Sequence, residues 1–305
     1  MSNYPFVRDP FTVIDGGLST ALELLGADIS GPLWTAQTVI DDPALLECAH
    51  RSFVEAGADI IATASYQCGT KQFESIGLSA KEARDALAST TTIARRAVEG
   101  TSVAVAASVG PFGASLANGS EYNGRYGVEW QQVEDYHREK LAILVDSGAD
   151  LIAIETIPLA DEALLIAEIL EVLGTPPAWF SFGFADETQT YGLDAVDKAV
   201  LSIAGYADLV AIGMNCTHPR HVDSLLASMS ELVSGVPFIV YPNHGREWDA
   251  VARCWIGDSI SISSVETVKR WVDLGARLIG GCCGVDPHGI DELVVARYLI
   301  YLRTF

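Results

Sequence analysis

Four times along this chain a polar–apolar helical stretch ends in Gly-Ala-Asp or a near variant, and a short apolar run follows at once. The copies are EAGADIIATASY (55–66), DSGADLIAIETIP (147–158), AGYADLVAIGMNC (204–216) and DLGARLIGGCC (273–283). Glycine just past a helix is the expected C-terminal cap. The runs that follow are short, nearly continuous and rich in Ile, Val, Leu and Ala, the pattern of strands buried on both faces of a parallel sheet. Four further apolar runs, FTVID (11–15), SVAVAASVG (102–110), PAWFSFGF (177–184) and PFIVYPN (237–243), bring the strand candidates to eight. Helical stretches separate them at 43–57, 80–100, 128–148, 160–174, 221–235 and 264–275. Eight β-then-α units in 305 residues predict an α/β fold, a single (β/α)8 TIM-type barrel spanning 1–305 as one domain. A doubly wound open sheet is the alternative, weakened because no Gly-x-Gly-x-x-Gly follows the first strand.

No linker or low-complexity tract divides the chain. The longest irregular segments, 111–127 and 243–262, both follow the C-terminal end of a strand, where barrel active sites lie. The N-terminus has no basic-then-apolar leader, and no apolar run approaches the roughly 20 residues that span a bilayer. The expectation is a cytoplasmic protein with reduced thiols and no membrane partner. Net charge is −21, from 19 basic and 40 acidic residues. That field repels phosphate backbones, so no nucleic-acid partner is expected.

Six cysteines are too few for a disulfide scaffold in a chain of this length. Three of them fall on the catalytic rim of the predicted barrel: Cys216 ends strand six, and Cys282–Cys283 end strand eight within GGCCG. Neighbouring residues in a regular strand point to opposite faces. Adjacent cysteines therefore reach one ion only where the strand breaks, and Gly280, Gly281 and Gly284 supply that freedom. Three thiolates suit zinc and leave a fourth tetrahedral position open. Other readings stand beside this one: a disulfide between the two neighbours, cysteines packed as small hydrophobes, or Cys68, after strand two, as a rival ligand. Cys48 and Cys254 read as structural, the first in a helix and the second in a loop. His218 and His244, near the rim, read as solvated loop residues.

With GMNC (213–216) and IGGCCG (279–284) in view, the sequence resembles the homocysteine S-methyltransferase family. DGGLSTALE (15–23), LWTAQ (33–37), ATASYQ (62–67), GPFGASLANGSEY (110–122), ETIP (155–158) and VYPNHG (240–245) extend the match across nearly the whole chain. SYQ, GSEY, WFSF and VYPN look most like the branch that uses S-methylmethionine or S-adenosylmethionine, and less like the betaine or the folate/cobalamin branches.

The resemblance implies Zn2+ held by Cys216, Cys282 and Cys283, homocysteine as methyl acceptor and a small sulfonium donor, with methionine as product. It implies that Asp15, Gly16 and Gly17 meet the amino-acid end of homocysteine and that Glu155 meets its ammonium. Asn215 supports a ligand or simply packs. Asn243 approaches the zinc when substrate is absent, or else forms a turn. Trp34, Tyr66 and Tyr122 offer aromatic faces to a cationic donor or serve as core or wall, and Glu121 offsets the donor's charge or binds its amino group. Two other functions fit the same motifs: methyl transfer to selenocysteine or another small thiol, and an inert zinc-binding barrel acting as a thiol sensor or interaction protein. The amino-acid grips argue against the inert form.

Overall fold

The computed structural model describes residues 4–249, 254–257 and 259–303. All eight expected strands form: β1 (Thr12–Val13), β2 (Ile60–Ala62), β3 (Ala104–Val109), β4 (Leu151–Ile157), β5 (Ala178–Phe182), β6 (Leu209–Asn215), β7 (Phe238–Tyr241) and β8 (Ala276–Ile279). Each is followed by a principal helix: α1 (Pro43–Glu55), α2 (Ala80–Ala97), α3 (Trp130–Val145), α4 (Ala160–Val172), α5 (Val196–Ile203), α6 (Val222–Leu232), α7 (Val265–Asp273) and α8 (Pro287–Leu302). The strands pair in parallel in the order β1-β8-β7-β6-β5-β4-β3-β2. A parallel bridge from Ile14 to Ile60 joins the two ends of that order, so the sheet closes into a (β/α)8 barrel.

The recurring motif has a clear structural reason. Gly57, Gly148 and Gly275 take left-handed angles just past a helix, with φ of 90°, 88° and 102°. The aspartate that follows reaches sideways. The Asp59 carboxylate accepts the Val13 amide at 2.9 Å, and Asp150 accepts the Val105 amide at 2.7 Å. Each carboxylate thus satisfies an amide of the neighbouring strand and sets its register. Asp59 also pairs with Arg8 and with Arg297 of α8, tying down the seam where β1 and β2 meet. In the fourth copy Arg277 stands at that position and donates to the Val272 and Ala276 carbonyls instead.

Helix starts follow local chemistry. The Asp42 side chain caps α1 by accepting the Leu45 amide, with Pro43 at the first helical position. Ser79 and Glu82 form a reciprocal capping box on α2. The core has two layers. A large one lies between strands and helices, and a smaller one fills the barrel interior with Ile14, Ile60, Leu151, Trp179, Ile239 and Tyr241. Phe6 and the partly buried Tyr4 and Val7 pack against that interior cluster.

Two expectations change. Segment 243–262 is not wholly irregular: Glu247–Asp249 and Cys254–Ile256 pair as an antiparallel hairpin. Cys254 therefore begins a strand rather than sitting in a loop, and its side chain lies outside the described residues. Segment 111–127 contains a helical turn at Phe112–Ser115 and another at Ser120–Tyr122. Among the described residues no helix is long and apolar enough to cross a membrane.

Candidate active site and metal centre

A cavity of about 100 Å³ opens at the C-terminal ends of the strands. Cys216, Cys282 and Cys283 form one of its walls, and Asp15, Gly16, Gly17 and Glu155 also line it. So do Trp34, Tyr66, Tyr122 and Asn215. Residues far apart in sequence therefore share one space because each lies at the C-terminal end of a barrel strand or in the segment between that strand and its principal helix.

The three sulfurs converge to within 4.8 Å of one another. Cys216 and Cys282 are in direct S–S contact, and Cys283 Sγ lies 3.8 Å from Cys216 Sγ. The contact joins strands six and eight, not the two sequence neighbours. β8 ends at Ile279, so both neighbouring cysteines sit in a turn, as their shared target requires. Within that turn Gly284 has φ of 79°, and a Cβ there would meet the His244 ring at 2.4 Å. The turn is anchored from three sides: the Gly281 amide donates to Asp15 O, Cys282 to Pro242 O and His244 to Cys283 O. Cys216 itself is left-handed, with φ of 48°. That strain was not visible in the sequence. It is held by the Cys216 amide donating to Tyr241 O and by the Tyr191 hydroxyl donating to Cys216 O at 2.9 Å.

The donor set fits a soft divalent cation. Burial pushes the Cys283 thiol up to about 11, and the nearby carboxylates of Glu155, Glu23 and Glu121 push the same way. A cation at the centre of the three sulfurs would reverse that preference, because a coordinating thiol is deprotonated outright. Cys68 is not part of this group. It is fully buried, its thiol directed at the Leu33 carbonyl and pushed up to about 12 by burial. Cys48 is exposed on α1.

Two buried carboxylates face the same cavity. Asp15 accepts the Ala62 amide at 2.8 Å, and Glu155 accepts from the Ser108 hydroxyl. Burial raises both, and the Glu155 charge raises Asp15 further. Ser108, Tyr241 and Lys140 act against the rise at Glu155. A pair so placed favours an incoming ammonium. The Gly17 amide is engaged within the protein, donating to Val285 O at 2.8 Å.

Asn215 is committed to the protein. Its Oδ1 accepts the Thr156 amide at 2.6 Å and the Ser181 hydroxyl at 2.8 Å, while Nδ2 donates to Thr156 Oγ1 and lies 3.9 Å from Cys282 Sγ. It thereby holds Thr156, next to Glu155, at φ of 59°, an angle a β-branched residue avoids. Asn243 takes the turn-forming option: Oδ1 accepts the Gly245 amide at 2.9 Å. His244 is buried rather than solvated.

On the aromatic side, the Trp34 and Tyr66 rings meet edge to face with centroids 6.2 Å apart. Tyr122 meets Tyr191 in the same way at 5.2 Å. Glu121, beside Tyr122, does not line the cavity, and one of its buried carboxylate oxygens has no hydrogen-bond partner. Sequence reasoning missed Ser108, Thr156, Tyr191 and Tyr241. A hydroxyl on or just past a predicted strand could have raised Ser108, Thr156 and Tyr241, whereas Tyr191 lies in the loop between β5 and α5 and carried no such signal.

A barrel rim that gathers three cysteine sulfurs above two buried carboxylates defines the class: a barrel enzyme with a sulfur-based centre whose cysteines, when reduced, are able to hold a metal. A family model for homocysteine S-methyltransferase matches residues 12–296. Homocysteine S-methyltransferase 2 of Arabidopsis thaliana is 40% identical, with 93% of this chain and 92% of that protein covered. Selenocysteine Se-methyltransferase of Brassica oleracea var. italica is 36% identical, with 95% and 91% covered. Among solved structures, the homocysteine methyltransferase MmuM from Escherichia coli in its metallated form superposes with a TM-score of 0.83 at 33% identity, covering 94% of this chain and 96% of that one. This chain belongs to the homocysteine S-methyltransferase family and is a methyltransferase.

Proposed function

We propose that this enzyme moves a methyl group from a sulfonium donor, S-methylmethionine or S-adenosylmethionine, to the sulfur of L-homocysteine, with zinc held by Cys216, Cys282 and Cys283. The observation that carries the reading is the convergence of three sulfurs on a cavity that also holds two buried carboxylates and an aromatic wall. A metal ion bound by the three cysteines would supply one thing, a substrate sulfur held as thiolate at neutral pH.

The protein's own residues do the rest. Glu155, with Asp15 beside it, receives the substrate ammonium and thereby fixes the direction of the thiol. Asn215 keeps the Glu155–Thr156 segment and Cys282 in mutual register. Trp34, Tyr66 and Tyr122 present ring faces and edges to a cationic donor, and Glu121 adds negative charge near Tyr122. Attack in line on the donor methyl breaks its C–S bond, and a neutral thioether leaves. No proton has to be delivered to it.

A methionine-formation assay tests this, with homocysteine offered alongside S-methylmethionine, S-adenosylmethionine or betaine. Turnover with a sulfonium donor is expected. Turnover with betaine alone would overturn the donor reading. Selenocysteine is the second acceptor to try, because a relative of 36% identity bears that activity in its name.

A further inference from the structure

Glu162 lies in the first turn of α4, wholly buried, and belongs to neither the thiol cluster nor the cavity lining. Its Oε1 accepts the Phe112 amide at 2.7 Å and contacts His137 Nε2 of α3 at 2.8 Å. Its Oε2 accepts from the Tyr126 hydroxyl. Phe112 opens the long loop between β3 and α3, and Tyr126 closes it. One carboxylate thus holds both ends of the segment that carries Glu121 and Tyr122 to the site.

The loop is folded to suit this tie. The Phe112 and Tyr126 rings pack with centroids 5.5 Å apart. At Gly113 the chain passes so close to itself that a Cβ would lie 2.6 Å from both the Glu121 amide nitrogen and the Tyr126 ring. The base of the loop is therefore closed on itself: Gly113 lies against Glu121 and Tyr126, while Phe112 and Tyr126 are bonded to Glu162. A carboxylate is costly to bury, and here its donors are an amide, a phenol and an imidazole. The first turn of a helix also favours negative charge. Nothing in strand–helix packing calls for a charge at this place, whereas the loop needs an acceptor with two separately directed oxygens.

We propose that Glu162 is a positioning residue for the methyl donor, acting through the 112–126 loop to hold Tyr122 at the cavity, with Glu121 behind it. The proposal rests on the reading that this side of the cavity receives a sulfonium donor. The same carboxylate links the donor loop to α4, which directly follows the strand that ends near Glu155. Donor and acceptor grips are thereby referred to one rigid unit.

The test uses Tyr126→Phe, which deletes one hydroxyl and keeps the ring, together with Glu162→Gln and Glu162→Leu, all as full-length metal-loaded protein. Hydrogen exchange read by mass spectrometry should accelerate in peptides covering 112–126 and stay unchanged in those covering β4 and β6. In steady-state kinetics the KM for S-methylmethionine should rise about tenfold in Tyr126→Phe, the KM for homocysteine should stay within about twofold and metal content should not change. Glu162→Gln keeps one carbonyl for the Phe112 amide and should fall between wild type and Glu162→Leu. Unchanged exchange in 112–126, or an equal rise in both KM values, overturns the proposal. Faster exchange in an enzyme whose wild type uses no sulfonium donor overturns the donor assignment and the reading beneath it, while the structural tie itself is kept.

Discussion

Two carboxylates buried in one cavity resist ionising together, and a cation between them favours both charges. Asp15 and Glu155 are both raised by burial, and Asp15 is raised again by the charge on Glu155. In the function proposed above, the substrate ammonium is that cation. A hydrogen bond to a charged group contributes about 1.5–3 kcal/mol, and each 1.4 kcal/mol is about tenfold. Glu155→Gln should therefore weaken homocysteine binding by about one to two orders of magnitude while leaving the metal in place. A thiol without the amino group, 3-mercaptopropionate, should lose far less, and titration of both thiols into wild type and variant makes the comparison. Equal losses would mean that Glu155 organises the rim rather than reading the ammonium. At this scale the cysteines were legible because thiols on strand ends have few structural reasons to gather. The Asn215–Thr156 clamp was not. A β-branched residue at φ of 59° leaves no mark on composition or spacing, and the bonds that hold it come from strands 59 residues apart.

At the scale of elements, β6 leads directly into Cys216, and its place against β7 depends on one missing side chain. A Cβ on Gly213 would lie 1.8 Å from the Ile239 carbonyl oxygen, a backbone atom that cannot turn aside. Gly213 pairs with Ile239 in the β6–β7 ladder, so any relief must come from parting the two strands. Overpacking of cores costs about 1–3 kcal/mol, and a backbone obstacle belongs at the top of that range. Gly213→Ala should lower the urea midpoint accordingly and also reduce metal binding, since Cys216 lies three residues on. An unchanged midpoint would show that β6 and β7 adjust without strain. The eight strands themselves were legible because a strand buried on both faces is a short unbroken apolar run. The hairpin at 247–256 was not, because it lies outside the barrel and shows no such run. Gly-Ala-Asp was visible as a repeat, but the task of its aspartate, accepting an amide of the adjacent strand, needs a partner 46 positions away at Asp59 and 45 at Asp150.

For the whole molecule, fold and metal centre draw on separate sources. The barrel is held by two apolar layers and by the Asp59 seam, with Arg8 and Arg297 on it. The three sulfurs lie at the rim, above the interior layer and past the aspartates that set strand register. Small metal domains unfold without their ion because they have no comparable core. This chain has one, so a metal here stabilises only by mass action, through binding to the folded state. Removing the metal with a chelator should leave the helical signal in far-ultraviolet circular dichroism unchanged and unfolding cooperative. The melting temperature should fall by about 2–4 °C for each kcal/mol of lost binding, the slope of a domain slightly smaller than this one. Cys283→Ala takes one of three ligands away and should bind little metal, show no methyl transfer and melt at the same temperature with and without chelator. Metal analysis paired with thermal melts of both proteins decides the matter. If chelation collapses the helical signal, the centre is part of the fold rather than mounted on it. If Cys283→Ala keeps full metal and turnover, the ligand set proposed here is wrong.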